Sequence, residues 1–466
     1  MGIDNNDQPS ISPVSLLNSL QCGLVGRAPH KEQKNLLHWA FKTHVPGLLS
    51  EKREFKSLYD ASIDKVFSSV WVTECSVLLG TKDDRLILLN TINGAFVQIP
   101  LLGHQDAIAD APSSTVVNWT MAQEPSQPVI QVDPNAPSTP FMESTLSPLN
   151  MLFNQHSRGI HAIALHPSKT LVAVGQGGPS NTIHLFHLPS FQSIALLNAH
   201  QDKIFGLDWA SDTLLVSVGR DGAVIFWDVS NLLSSGKPVL TRKDSALGLG
   251  GMEVCEDESI PTLFPSAVHR ERGRQRAIKA NPLSGATATL SSEGFVKLWD
   301  SQTSSFISHI PLENTLELVS MASLDSHQSV WAIGSQSHIT LIDGRSGKVC
   351  QNIASNDEGY GVRSLAVRHD TIITGGGMGR LSFFNLTAGK YHQFPCLDGT
   401  VAEYKDCGDG WISPAHRYNV NRYMDVRDKR PAILTMALDD AGVKLLTGGG
   451  PIHITVDGSY AGLWSI

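Results

Sequence analysis

His200, Ser217 and Asp221 have the residue types of a base, a nucleophile and an orienting carboxylate, and Trp227 follows them. Acyl transfer is the chemistry such a trio would do. No oxyanion loop accompanies it, and the spacing also fits a structural array. In that array the His bridges a turn Asp and a strand Ser, and the Ser accepts the indole N–H. A buried indole and a buried imidazole both need such partners, so the four residues are read as a hydrogen-bonded tetrad. A second set is cationic: Lys82, Arg220, Arg274, Arg276 and Arg363, with Lys203 beside them. Guanidinium forks pair carboxylates bidentately, so these charges brought to one place would hold an anion. The sequence contains no G-x-x-x-x-G-K phosphate loop and no nucleophile motif or metal-ligand cluster. No catalysis, cofactor or metal is expected.

A repeat must position these residues. GIHAIALHPSKTLVAVG from Gly159, DKIFGLDWASDTLLVSVG from Asp202, RQRAIKANPLSGATATLS from Arg274 and GVRSLAVRHDTIITGGG from Gly361 share one pattern. Each reads as an alternating strand, a polar turn and an apolar strand ending in Gly or Ser. A third strand follows, as in GAVIFWDVS and GFVKLWDS. Weaker copies start at Ser68, Leu318 and Leu434. The first strands begin at His161, Phe205, Arg276, Arg363 and about Leu434, at intervals of 44, 71, 87 and 71. With one weak copy inside the 87 and two insertions, the period is about 43, that of a WD40 propeller. The fold expected is all-β, a seven-bladed WD40 propeller with an N-terminal helical extension. Its blades close radially because one blade cannot bury both faces alone. The Gly runs at 375–377 and 448–450 end second strands and read as turns.

In a propeller the start of the first strand and the turn between the second and third strands share one face. The strand row is His161, Phe205, Arg276 and Arg363, with Gly159, Lys203, Arg274 and Gly361 two residues earlier. The turn row, aligned on Arg220, gives Lys82, Ser292, Ser335 and Met378. Lys82, Arg220, Arg274, Arg276 and Arg363 thus point to one channel mouth from several blades. The chain carries 36 Lys+Arg against 44 Asp+Glu, net −8, so this cationic mouth is a local exception, and its charges are expected to lack partners until a ligand supplies anions. A narrow mouth admits a chain end more readily than a duplex, which points to an acidic C-terminus.

Outside the repeat, Ser12 and Pro13 open an amphipathic helix carrying Leu16, Leu17, Leu20 and Leu24, and a second helix holds Leu36, Leu37, Trp39 and Ala40. These place an N-terminal region at 1–57 and the propeller at 58–466. Insertions are expected at 103–158, 243–273 and 396–430. The second ends in HRERGRQR, which includes Arg270 and Arg272 and reads as a nuclear import signal. The start lacks the basic and apolar regions of a signal peptide, and no apolar run is long enough to span a membrane. The six cysteines are scattered and expected to be reduced thiols. The expected setting is cytoplasmic and nuclear, without membrane or nucleic-acid partners.

The strings GIHAIALHPSKTLVAVGQGG, SDTLLVSVGRDGAVIFW, VWAIGSQSHITLIDGR and GSYAGLWS, with PVSLLNSLQ and KREF…DKVFSSVW, resemble the family of damage-specific DNA-binding protein 1 and cullin-4 associated factors. These are WD40 substrate receptors of cullin-RING ubiquitin ligases. The resemblance covers most of the chain except 103–158 and the region near 243–273. It implies recognition of substrates ending in paired glutamates, through a basic pocket matched here by Lys82, Arg220, Arg274, Arg276 and Arg363. It also implies that the N-terminal region, with Leu16, Leu17 and Leu20, binds the ligase adaptor and through it cullin-4. Two departures stand out. Gln98 replaces a further pocket lysine, and the WD-x-R signature survives only as Ile342-Asp343-Gly344-Arg345. A WD40 scaffold that binds internal acidic peptides without a ligase is the alternative.

Overall fold

A computed structural model describes residues 51–101, 159–178, 180–235, 252–253, 260–324, 329–357, 359–396, 399–414, 430–453 and 455–465. Seven sheets, each with four antiparallel strands at its base, form the blades of one propeller. Their innermost strands are Val66–Thr73, Ala162–Leu165, Ile204–Trp209, Gln275–Asn281, Ser320–Ser323, Val362–Arg368 and Pro431–Leu438. Each packs against the next, and the seventh returns to the first, so the ring is closed. The second strands are buried almost throughout because they lie between neighbouring blades. Continuous apolar runs such as Leu171–Gly175 are the sequence sign of that double burial.

Glycines at the upper ends of second strands allow the blades to approach. A Cβ on Gly375 would lie 2.5 Å from the Ile433 side chain of the next blade, and one on Gly80 would lie 2.5 Å from Ile160. Close packing, rather than a turn, requires Gly375 and Gly448; in the 375–377 run only Gly377 lies in the turn. Serine hydroxyls at the same level tie blades together, from Ser68 to the Ile160 carbonyl, Ser320 to Val362 and Ser364 to Ile433.

The ring closes differently from the sequence expectation. Glu51–Glu54 pairs antiparallel with the last strand, Gly458–Ser465, and supplies an outer strand of blade 7. Propeller structure thus begins before residue 58, the boundary read from the sequence. Behind this strand a one-turn helix, Lys56–Asp60, buries Leu58, which packs with Phe55 and Ile63 against Leu446 and Ala461 of blade 7 and Val77 of blade 1. The strand Glu51–Glu54 thus completes the last blade just before the chain enters the first.

The insertions also differ in part. Ala267–Arg270 is the outer strand of blade 3, paired with Ala223–Asp228, so HRERGRQR is not an insertion tail. It runs from that strand through a turn into the inner strand of blade 4. Met252–Glu253 and Thr262–Leu263 add to the outer edge of blade 2. In the 396–430 segment, Lys405–Asp406 pairs with blade 6 and Trp411–Ile412 with blade 7. The 103–158 insertion and the helices with Leu16, Leu17 and Leu20 lie outside the described residues. No helix among the described residues is long and apolar enough to cross a membrane.

Candidate functional site

The tetrad sits inside blade 3. His200 Nδ1 lies 3.1 Å from Asp221 Oδ2, His200 Nε2 lies 2.8 Å from Ser217 Oγ, and Trp227 Nε1 donates to the same Oγ at 2.9 Å. Burial would push the Asp221 carboxyl up, but hydrogen bonds from His200 and from the Gln201 and Ala223 N–H groups hold it below the usual range. Ser217 and Trp227 are fully buried, so this Ser is a hydrogen-bond relay with no access for a substrate. Blade 4 keeps the last link, Trp299 Nε1 to Thr289 Oγ1 at 3.0 Å, and blade 7 does so with Trp464 and Thr447.

The channel mouth is built by a backbone device repeated around the ring. In five inner strands the pairing skips one residue near the start, and the skipped residues are Phe67, Phe205, Arg276, Arg363 and Leu434. A bulge of this kind re-aims a side chain. His161 and Val319 hold the equivalent places just before the strands of blades 2 and 5. All seven are half-buried and each follows a fully buried residue. Neighbours touch around the ring. Phe67 stacks on His161 with centroids 4.3 Å apart, His161 meets Phe205 edge-on at 5.3 Å, and the Arg276 guanidinium lies 5.2 Å from the Phe205 centroid. From blade 7 through blade 3 the row is thus Leu, Phe, His, Phe, and both of its arginines fall in blades 4 and 6. Burial, with Lys203 and Arg276 nearby, pushes His161 down to about 3. It is therefore neutral at physiological pH, and the bulged row carries no charge from blade 7 through blade 3.

The cationic half gathers Arg220, Arg274, Arg276 and Arg363. Burial and the neighbouring Arg274 push Arg276 below its ordinary value; Glu317 opposes this, while Arg363 and Arg220 add to it. Burial and Arg220 likewise push Lys203 down. Four guanidiniums therefore share one field. Among the described residues, neither Arg274 nor Arg276 has a carboxylate within ion-pair distance. That is a cost which an anionic ligand would relieve.

The expectation that every one of these charges lacks a partner is corrected. Lys82 Nζ lies 2.7 Å from Asp64 Oδ2 and 2.9 Å from Asp457 Oδ1, and its side chain is only 13 % exposed. It belongs to a compact ion cluster with Asp64 and the buried Lys65, between blades 1 and 7. Arg220 has a longer contact with Asp202, 3.5 Å, and Arg363 Nη1 pairs with Glu317 Oε2 at 2.8 Å. The signal was present in the sequence. Asp64-Lys65-Val66-Phe67 repeats Asp202-Lys203-Ile204-Phe205, and in both the Asp Oδ1 accepts the next residue's N–H at 2.8 Å. The same alignment would have found Phe67, Lys65 and the pairing Asp64. The turn row is corrected too. The N–H groups of Lys82, Arg220, Ser292 and Gly377 donate to Lys65, Lys203, Arg274 and Gly361. Gly377 therefore stands level with Arg220, and Met378 is the buried residue after it. In blade 5 the corresponding donor is Gln336, which bonds Leu316 O.

Arg270 ends the outer strand of blade 3, and exposed Arg272 follows in the turn, both away from the inner ring. Gln98 is exposed on the outer strand of blade 1. Arg345 lies in the turn after the third strand of blade 5, at the opposite face, with its side chain 72 % exposed.

The fold and the mouth define a WD40 propeller with a half-cationic, half-aromatic channel entrance. Residues 138–465 match the family described as DDB1- and CUL4-associated factor 12 beta propeller, well over half of the chain, and the chain belongs to that family. Among solved structures it is similar to the RRP9 WD40 repeats, with a TM-score of 0.54 and 12 % identity, covering 90 % of this chain and 98 % of that one. It is similar to U3-55K with the same score and identity, covering 89 % and 98 %. At such identity both bear on the fold alone. A curated relative, actin-interacting protein 1-2 of Arabidopsis thaliana, is 31 % identical over 78 residues, which are 17 % of this chain and 12 % of that protein's length.

Proposed function

We propose that the protein is a non-catalytic substrate receptor of a cullin-4 RING ubiquitin ligase, and that its channel mouth receives acidic C-terminal ends, paired glutamates foremost. Membership in a family of DDB1- and CUL4-associated factors supports the ligase half of this reading. The substrate half rests on one observation, the convergence of Arg220, Arg274, Arg276 and Arg363 at one mouth of a chain with net charge −8. A chain end brings a carboxylate with no continuing backbone behind it, so it can enter the mouth end-on. In this reading the aromatic half, neutral at His161, excludes further charge and confines the anion to blades 3 to 6. Adaptor binding falls to residues 1–57 through Leu16, Leu17 and Leu20, and the setting is cytoplasm and nucleus.

A peptide ending in Glu-Glu with a free carboxylate is expected to bind, and its C-terminal amide to bind much more weakly. Amidation removes a charge and puts an N–H2 donor where arginine needs an acceptor. Calorimetric titration of both peptides is the test. Equal affinities would favour a scaffold that takes internal acidic peptides. For the adaptor, changing Leu16, Leu17 and Leu20 together to Asp is expected to abolish co-purification of the adaptor and cullin-4. Burying each leucine in a partner groove contributes roughly 1.5–3 kcal/mol. Recovery at wild-type yield would remove this stripe from the interface.

A further inference from the structure

The mouth's four arginines are not equivalent in what already neutralises them. Arg274 and Arg276 have no ion-pair partner among the described residues, and Arg220 has a more distant one, Asp202, just ahead of the inner strand of its own blade. Arg363 is held closely by Glu317, which comes from a different blade connection. Glu317 lies in the exposed segment joining the outer strand of blade 4, Ser305–Pro311, to the inner strand of blade 5. Its carboxylate meets Arg363 Nη1 at 2.8 Å. The Glu317 side chain is 48 % exposed and the Arg363 side chain 17 %, so the carboxylate lies on the solvent side of the guanidinium. Leu316 beside it is 67 % exposed. Glu317 adopts φ +55, a left-handed conformation uncommon for a residue with a side chain.

We propose that Glu317 is an internal stand-in for a ligand carboxylate, seated on Arg363, which an incoming acidic chain end must displace, and that it makes the mouth selective for ends carrying more than one carboxylate. The inference rests on the reading of the mouth as an acidic chain-end site and adds its selectivity element. Its physical basis is competition. A ligand with one carboxylate gains Arg276 and Arg274 but leaves the Arg363–Glu317 pair intact. A ligand with two or three gains Arg363 as well, at the expense of a half-exposed pair, and exposed pairs are weak. Glu317 can swing away because it stands on an exposed segment rather than inside a blade. Arg363 stays, since its Nε also donates to Tyr360 O at 2.9 Å.

The test is titration of the full chain and of Glu317→Gln and Glu317→Ala with two synthetic peptides with free C-termini, one ending in Glu-Glu, which carries three carboxylates, and one ending in Gly-Gly, which carries one. Glutamine keeps the shape and removes the charge; alanine removes the side chain, so agreement between the two assigns the effect to the carboxylate. Both variants are expected to bind each peptide severalfold more tightly than the parent. The gain should be larger for the Gly-Gly peptide, so that the preference for paired glutamates narrows. If the parent binds and the variants bind equally or more weakly, Glu317 is idle or merely positions Arg363, and the inference is overturned while the mouth reading stands. If neither parent nor variants bind either peptide, the chain-end reading itself fails and the inference with it.

Discussion

Arg276→Glu is expected to abolish binding of an acidic C-terminal peptide and to leave the melting temperature unchanged or slightly raised. Arg276 is half-buried, has no carboxylate partner among the described residues, and shares its surroundings with Arg274, Arg363 and Arg220. Its positive charge is therefore unfavourable in the free protein, and reversing it turns the repulsion by those three into attraction, partly offset by Glu317, which would then repel it. In the complex, its pair with the ligand would be shielded from water by Phe205 and by the peptide. Losing one side of such a pair costs about 2–5 kcal/mol in affinity. Arg363→Glu should impair binding as strongly, but it also faces Glu317 with a like charge and loses the Tyr360 contact, so a small fall in melting temperature is expected with it. Arg220→Glu belongs to the same group. Lys203→Glu is expected to do less, and Arg270→Glu and Arg272→Glu, at the outer edge of blade 3 and the turn beyond it, to do little. Titration of these variants beside melting curves decides the matter. Equal losses at Arg270 and Arg276 would mean a diffuse basic patch rather than a pocket.

The seven-fold architecture was legible because each blade repeats one pattern, and the pattern is fixed by burial. Alternation marks inner strands with one lining face, and unbroken apolar runs mark second strands closed in by both neighbours. The tetrad was legible because buried polar atoms must be paired, which leaves few arrangements for His200, Ser217, Asp221 and Trp227. The closure strand was not. Glu51-Lys52-Arg53-Glu54 is polar and short, since an outer strand at the rim faces water and needs only backbone pairing. Ala267–Arg270 went unseen for the same reason: an outer strand bearing His269 and Arg270 resembles a charged loop. The mouth was legible in part. The repeat alignment brings the arginines to one face, because strand starts and second turns lie on that face in every blade. It does not show which cations are already neutralised, because the partners Asp457 and Glu317 come from connections whose lengths vary between blades. Met378 was placed one position late: three residues, 377–379, join the strands of blade 6 as 220–222 do in blade 3, so Gly377 answers to Arg220.

Lys82→Glu separates the folding role of a mouth cation from a binding role, and it is expected to destabilise the protein by about 3–5 kcal/mol, the usual consequence of breaking a buried ion pair. Lys82 holds Asp64 and Asp457 together, and Asp64 also accepts the Lys65 and Gly458 N–H groups. Asp64 and Lys65 enter blade 1, while Asp457 and Gly458 enter the last strand of blade 7, so the cluster fastens the two ends of the ring. A glutamate at 82 would put three carboxylates around the buried Lys65, whose ammonium donates to Val456 O. Burial alone would push the Asp64 carboxyl up; Lys65, with hydrogen bonds from Lys82 and Gly458, outweighs it and holds the group below its usual range. A carboxyl lowered on folding stabilises the fold above its unfolded value of about 3.9, and that contribution is lost as pH falls through the lower folded value. The stabilisation is therefore complete at neutral pH, where the variant should melt well below the parent. Lys82→Met keeps the stem and removes the charge; it leaves Asp64 and Asp457 facing Lys65 alone, and an intermediate loss is expected. Thermal melts of the two variants beside Arg276→Glu give the contrast. If Lys82→Glu melts with the parent and loses only peptide affinity, Lys82 belongs with the arginines of the pocket, and the ring is fastened by its strands without help from this cluster.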